Sequence, residues 1–238
     1  MRIYSEIPGR AMCIFAHPDD ADMGAGGTIA KWSTAGTEIV LVVACTGDKG
    51  TVDSTTDPKY LVEQRDRELC DSAATLGISA VERLLIADGD VENSRALRER
   101  IVRLVRVFRP QVVISHDPTA IFFGTTYYNH RDHRELGFAT LDAVLPAAYL
   151  PHYFPESGPS HKVERVLLAG TLEANVGVDI SMTVNSKIDA ALCHKTQVGP
   201  RSKQLSDSIQ SSAKHCGKRL SVAGAENFRE LVNGWGAN

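Results

Sequence analysis

At 238 residues, with 43% hydrophobic and 23% charged residues, the chain is long enough for one large domain, 1–238, and its composition excludes a disordered or fibrous protein. A formal net charge of -3 argues against general electrostatic affinity for nucleic acid. The five cysteines (Cys13, Cys45, Cys70, Cys193, Cys216) show no CxxC spacing and read as reduced thiols. The N-terminal Met1-Arg2-Ile3-Tyr4-Ser5-Glu6 lacks an apolar signal core, and no apolar stretch is long enough to span a bilayer. A cytoplasmic protein without membrane insertion is therefore expected.

The first predicted strand, Ala11-Met12-Cys13-Ile14-Phe15, runs into Ala16-His17-Pro18-Asp19-Asp20. Pro18 cannot continue a ladder and Asp tolerates turn geometry, so one imidazole and two carboxylates stand where the strand gives way to a turn. His17 and Asp20 offer a metal one nitrogen and one oxygen, with Asp19 between them free to handle a proton of an activated water. As plain structure, Asp19 and Asp20 would instead cap the helix that follows. The glycines of Gly24-Ala25-Gly26-Gly27-Thr28 do not spell GxGxxG, and the carboxylates before them would repel a pyrophosphate; they read as close helix-to-sheet packing, with the helix ending near Gly36.

Glu38-Ile39-Val40-Leu41-Val42-Val43-Ala44 predicts a central parallel strand, and Thr46-Gly47-Asp48-Lys49-Gly50-Thr51 opens a polar loop expected over the site. A helix is predicted over 60–77, with Arg65 and Glu68 pairing on its solvated face and Gly77 as its stop. Arg83-Leu84-Leu85-Ile86 follows as a strand ending in the acidic turn Asp88-Gly89-Asp90. Then comes an amphipathic helix over 94–108, ended by Pro110. Gln111-Val112-Val113-Ile114-Ser115 delivers His116 to the same edge, where it reads as a hydrogen-bonding support.

The loop through Tyr127 and Tyr128 carries a second cluster, His130-Arg131-Asp132-His133, into a helix beginning near Asp132 or His133 and running to about Pro146. Two clusters separated by a short and a long spacer describe a three-ligand catalytic zinc site with one open position. Read as plain structure, Asp132 would cap that helix and Arg131 and Arg134 would be solvated. Residues 151–159 predict a loop, 163–171 and 176–180 two strands, and 184–193 a helix. Residues 200–216, rich in Ser, Lys and Gln, predict a partly mobile stretch, and 223–235 a short helix. His152, His161, His194 and His215 read as surface or packing residues. The alternation predicts an α/β fold: a Rossmann-like, doubly wound, mostly parallel sheet with helices on both faces.

In order along the chain, Ala16-His17-Pro18-Asp19-Asp20, Gly24-Ala25-Gly26-Gly27-Thr28, Thr46-Gly47-Asp48-Lys49-Gly50, the Arg65 and Glu68 helix ending Leu76-Gly77, Arg109-Pro110, His130-Arg131-Asp132-His133-Arg134, and Lys187 with His194-Lys195-Thr196-Gln197 resemble the LmbE-like, or PIG-L, family of metal-dependent N-deacetylases. The commonest form of the first family motif places Glu directly after the paired Asp; here Ala21 stands there and Asp22 follows. The resemblance implies zinc, with ferrous iron as the alternative, held by His17, Asp20 and His133, and Asp19 as general base. It implies His130 as the group that steadies the oxyanion or protonates the leaving amine, oriented by Asp132. Tyr128 matches a tyrosine that swings toward the reacting carbonyl, and Arg65 a position that contacts substrate. The implied reaction removes an N-acyl group, acetyl first, from an amino sugar or a GlcNAc-containing conjugate; whether Asp19 alone or Asp19 with His130 does the acid/base work stays open. Rival readings are an amidase of the same family acting on a thiol-conjugate or peptide-like amide, and a noncatalytic sugar- or nucleotide-binding module. A homo-oligomer is compatible with the resemblance.

Overall fold

The computed structural model describes residues 1–234. In chain order the elements are β1 (Arg2–Ile3), β2 (Arg10–Phe15), α1 (Asp20–Thr34), β3 (Glu38–Cys45), α2 (Pro58–Leu76), β4 (Ala80–Ile86), α3 (Arg95–Phe108) and β5 (Val112–His116). A small hairpin follows, β6 (Phe122–Phe123) with β7 (Tyr127–Tyr128), then α4 (Arg131–Asp142), β8 (Arg165–Ala169), β9 (Val176–Asp179), α5 (Val184–Cys193), α6 (Lys195–Val198), α7 (Ser202–Lys218) and β10 (Ala225–Val232).

Among the described residues, eight strands form one sheet in the order β1-β9-β10-β8-β5-β2-β3-β4. All neighbours pair parallel except β10, which runs antiparallel between β8 and β9. The period-two alternation of strand side chains explains the layering. Ala11, Cys13 and Phe15 of β2 and Ile39, Leu41 and Val43 of β3 face one core with Ile29 and Trp32 of α1, Leu69 of α2 and Ala213 of α7. Met12 and Ile14, with Val40 and Val42, face the other core with Ile101 and Val105 of α3 and Leu136 of α4. Helices thus cover both faces, as the doubly wound expectation required.

The strand order reverses direction at β2, which has β5 on one side and β3 on the other. In open α/β sheets the crevice beyond the carboxyl ends of strands at such a point is where ligands bind. His17 follows β2 and His116 ends β5 at that crevice.

Local chemistry sets the helix ends. Asp57 accepts from the Lys59 amide at 3.0 Å to start α2 at Pro58, and Gly77 (φ 69°) stops it in the left-handed conformation that costs glycine least. Ser94 caps α3 through the Leu97 amide. Gly27 does the close packing predicted for its stretch: a Cβ there would meet Ile180 at 2.6 Å.

Three expectations are corrected. Arg65 and Glu68 do not pair on a solvated face: both are buried, Arg65 turning to Asp19 and Glu68 accepting from the amide and hydroxyl of Thr196 at the start of α6. The polar stretch after Pro200 is the helix α7, which buries only Ile209, Ala213 and Gly217, one residue per turn and two of them small. The closing helix predicted over 223–235 is strand β10 as far as Val232, while Trp235 lies outside the described residues. Its buried Glu226 accepts from the amides of Gly27 and Thr28 and pairs with Lys187, a core carboxylate that hides the apolar alternation. No helix of the described residues is long and apolar enough to cross a membrane.

Candidate active site

Pro18 ends the β2 ladder, and the Asp20 amide donates to the His17 carbonyl at 3.2 Å, so the chain turns at once into α1. Asp19 stands at the helix N-cap without making a side-chain cap, and Asp20 accepts from the His17 amide at 2.7 Å. Both carboxylates therefore face the crevice. His133 reaches it from the first turn of α4, whose cap is the His130 ring accepting from the Asp132 amide at 3.2 Å.

Three donor atoms converge. His17 Nδ1 lies 3.1 Å from His133 Nε2 and 3.3 Å from Asp20 Oδ2, and His133 Nε2 lies 3.2 Å from Asp20 Oδ2. These separations match the roughly 3.3 Å edge of a tetrahedron whose centre sits ~2.0 Å from each nitrogen or oxygen ligand. The outer nitrogens settle the tautomers: His17 Nε2 donates to Asp132 Oδ2 at 3.2 Å, and His133 Nδ1 donates to Asn129 Oδ1 at 3.2 Å. With a cation at the shared point in place of a proton, each ring would turn its other nitrogen's lone pair to it, the arrangement that carboxylate and amide partners impose on metal-ligating histidines. A divalent cation fits His17, Asp20 and His133 on this ground.

The charge balance points the same way. Burial disfavours a charged His17, yet its bonds to Asp132 and Asp20 push the imidazole well above its ordinary range. Asp20 is held far below the usual carboxylate range: burial opposes ionisation, and His133, His116 and His17 overcome it. The cluster thus favours a positive charge at its centre. Two other groupings share His17 and fit less well. In one, burial pushes the Cys45 thiol up to about 11, keeping it protonated, and Asp88 is engaged by the Gly47 and Lys49 amides. In the other, Asp132 already accepts from the Gly89 amide at 2.7 Å.

Asp19 keeps 30% side-chain exposure beside the cluster, and Arg65 donates to its Oδ1 at 3.2 Å. Burial and the neighbouring Asp20 raise its pKa, with Arg65 partly offsetting them. His116 accepts from the Ala16 amide at 3.0 Å and stacks on His133 at 4.1 Å between ring centres, while burial takes its pKa down to about 4, so a neutral ring props His133.

A cavity of about 420 Å³ opens on the cluster, lined by His17, Asp19, Asp20, Arg65, His130 and His133 together with Lys49 and Gly50 of the predicted overlying loop. The structure thus brings seven of the eight predicted site residues to one place, counting Asp132 through its bond to His17. Asp132 differs from its predicted role: the ring it holds most closely is His17, with His130 Nδ1 at 3.5 Å. Tyr128 is not brought in. It is exposed on the hairpin with its hydroxyl bound by Arg134, and period-two alternation turns its neighbour Tyr127 into the cavity instead. Sequence reasoning also missed Asn129, four positions before His133, and the pair formed by Asp22 and His194, whose Nε2 and Oδ2 lie 2.6 Å apart in the core.

The profile of the PIG-L family, described as GlcNAc-PI de-N-acetylase, matches residues 12–144, from β2 through His133. A diacetylchitobiose deacetylase from Thermococcus kodakarensis is 32% identical over 192 residues, covering 79% of this chain and 70% of that protein. The chain belongs to the PIG-L family. Another relative, the 1D-myo-inositol 2-acetamido-2-deoxy-alpha-D-glucopyranoside deacetylase of Kineococcus radiotolerans, is 31% identical over 59% of this chain and 46% of its own length. The N,N'-diacetylchitobiose deacetylase of Pyrococcus horikoshii, solved with an inhibitor, superposes with a TM-score of 0.86 at 28% identity over 95% of this PIG-L chain and 85% of that one. These relatives are named for hydrolysis of N-acetyl amides on amino sugars.

Proposed function

We propose that this PIG-L protein is a metal-dependent N-deacetylase that hydrolyses the N-acyl amide, acetyl first, of a glucosamine-type amino sugar or conjugate. The observation that carries the reading is the convergence of two tautomer-fixed imidazoles and Asp20, with Asp19 alongside in the same cavity. Residues 1–238 act as one domain in this reading, in the cytoplasm.

His17, Asp20 and His133 would hold the cation, zinc or ferrous iron, both of which suit two imidazoles and a carboxylate. Such an ion polarises the amide carbonyl and makes water acidic enough to lose a proton near neutral pH. Asp19 takes that proton as the water oxygen attacks, its raised pKa suiting a group that must accept and then release it. Arg65 holds Asp19 in place and limits the rise. Because His130 Nδ1 accepts an amide, its Nε2 carries the hydrogen and faces the developing negative charge on the carbonyl oxygen. Protonated Asp19 then supplies the proton the departing amine needs, while the neutral His130 ring serves as a hydrogen-bond donor through Nε2. Tyr127, which lines the cavity, takes the part that the resemblance gives to Tyr128 in this reading.

Acetate release from N-acetylglucosamine and N,N'-diacetylchitobiose by the metal-loaded chain tests the reading. Asp19→Asn is expected to lower the rate by about 10²–10⁴-fold, the contribution of a positioned base, and a chelator to abolish it. Full activity in the variant, or after chelation, contradicts the proposal.

A further inference from the structure

Two cavities meet at Asp20 and His133. The one already described contains Asp19 and His130. A second, of about 510 Å³, shares Asp20, Tyr127 and His133 with it but contains neither Asp19 nor His130. Its volume is that of a pocket for a whole ligand and far exceeds what a methyl group occupies. Phe15, Met23, Phe123, Leu172, Ile209 and Ala213 supply apolar wall. Of the buried charges that line it, Lys187 and Glu226 are spent on each other at 2.5 Å, and Asp117 takes the Thr119 amide and hydroxyl on Oδ1 while its Oδ2 is buried without a partner.

Hydrolysis dictates which end of the amide enters which cavity. Water's oxygen joins the carbonyl carbon, the C–N bond breaks with its electron pair going to nitrogen, and that nitrogen takes a proton. Asp19, which carries the proton to nitrogen, lines the first cavity and not the second, so the amine lies in the first. The first cavity also offers Lys49, Arg65, Asp88 and Gln197 to a hydroxyl-rich component. The other substituent of the carbonyl carbon lies across from nitrogen. With the carbonyl at Asp20 and His133, it points into the second cavity.

Resting on the deacetylase reading above, we propose that the second cavity is an acyl-chain subsite and that the enzyme hydrolyses medium-length, unbranched N-acyl amino sugars as well as N-acetyl ones. Alkyl chain buried there gains from leaving water, each methylene adding to affinity.

The test measures kcat/KM of the metal-loaded full chain for N-hexanoyl and N-acetyl derivatives of glucosamine and of its β-1,4-linked dimer, in the wild type and in Ser212→Phe. Ser212 is an exposed residue of α7 that lines the second cavity, so the added ring narrows it without entering the core. The expected result is hexanoyl hydrolysis within tenfold of acetyl in the wild type and a hexanoyl-to-acetyl ratio at least tenfold lower in the variant. Product inhibition of the wild type gives a readout independent of the variant's folding: hexanoate is expected to inhibit at least tenfold more tightly than acetate. Hydrolysis of the acetyl substrate alone overturns the acyl-chain subsite and leaves the deacetylase reading standing. Hydrolysis of neither overturns both. A ratio unmoved by Ser212→Phe, or hexanoate no tighter than acetate, also overturns the subsite.

Discussion

Asp132 and Asp22 are both buried, each holds a histidine by its Nε2, and the second nitrogen of each ring separates their work. Asp132 holds His17 at 3.2 Å and leaves Nδ1 facing Asp20 and His133. Asp22 holds His194 at 2.6 Å and takes the Ser72 hydroxyl on its other oxygen, while His194 Nδ1 is buried without a partner. In the proposed metal site the first pair therefore shapes a ligand. The second ties α1 to α2 and to the end of α5 behind Asp19. The same acid–imidazole chemistry serves binding or fastening according to what the free nitrogen meets.

The largest expected effect that separates the pairs is on stability. His194→Ala strands a buried carboxylate and is expected to cost about 3–5 kcal/mol, read from urea midpoints, with cation affinity within threefold of wild type. A variant that stays stable and loses the cation instead would dissolve the distinction. Next in size, Asp132→Asn is expected to weaken cation binding about 10–100-fold by calorimetric titration, because it loosens the ring that presents the lone pair. Unchanged affinity would make Asp132 a structural acid like Asp22. The smallest effect is a pH slope. Burial opposes charge on His194, but Asp22, with Asp19 and Glu68 nearby, raises its pKa above the usual imidazole value. Its stabilisation is thus complete below about pH 6.5, the unfolded value, and is lost as pH rises through the raised folded one. The stability gap between wild type and His194→Ala is therefore expected to be widest below about pH 6.5 and to narrow as pH rises through the raised pKa of the folded ring. A constant gap would mean that the folded ring does not gain a proton.

Legibility followed the range over which residues interact. The strands β2, β3 and β5 were readable because they are covered on both faces and become continuous apolar runs, and the helix 184–193 was placed to the residue. Both candidate clusters are readable in the sequence because His17 and Asp20 are three positions apart and His130 and His133 likewise. Tyr128 matches the family tyrosine by its spacing from His130, and spacing carries no information about which side of a two-residue strand faces inward. The Asp22 and His194 pair spans 172 positions, so no local pattern announces it. α7 and β10 were misread for opposite reasons: α7 buries a stripe too small and narrow to register, and β10 buries a carboxylate where an apolar residue would mark a strand.

Calorimetric titration of the metal-free chain and of His133→Ala with zinc tests the central claim most directly, with circular dichroism to verify the fold of each. One ion bound per wild-type chain, and binding at least a hundredfold weaker in a folded His133→Ala, is the predicted result. Equal binding in both would contradict the cluster of His17, Asp20 and His133 as the metal centre and, with it, the reaction built upon it.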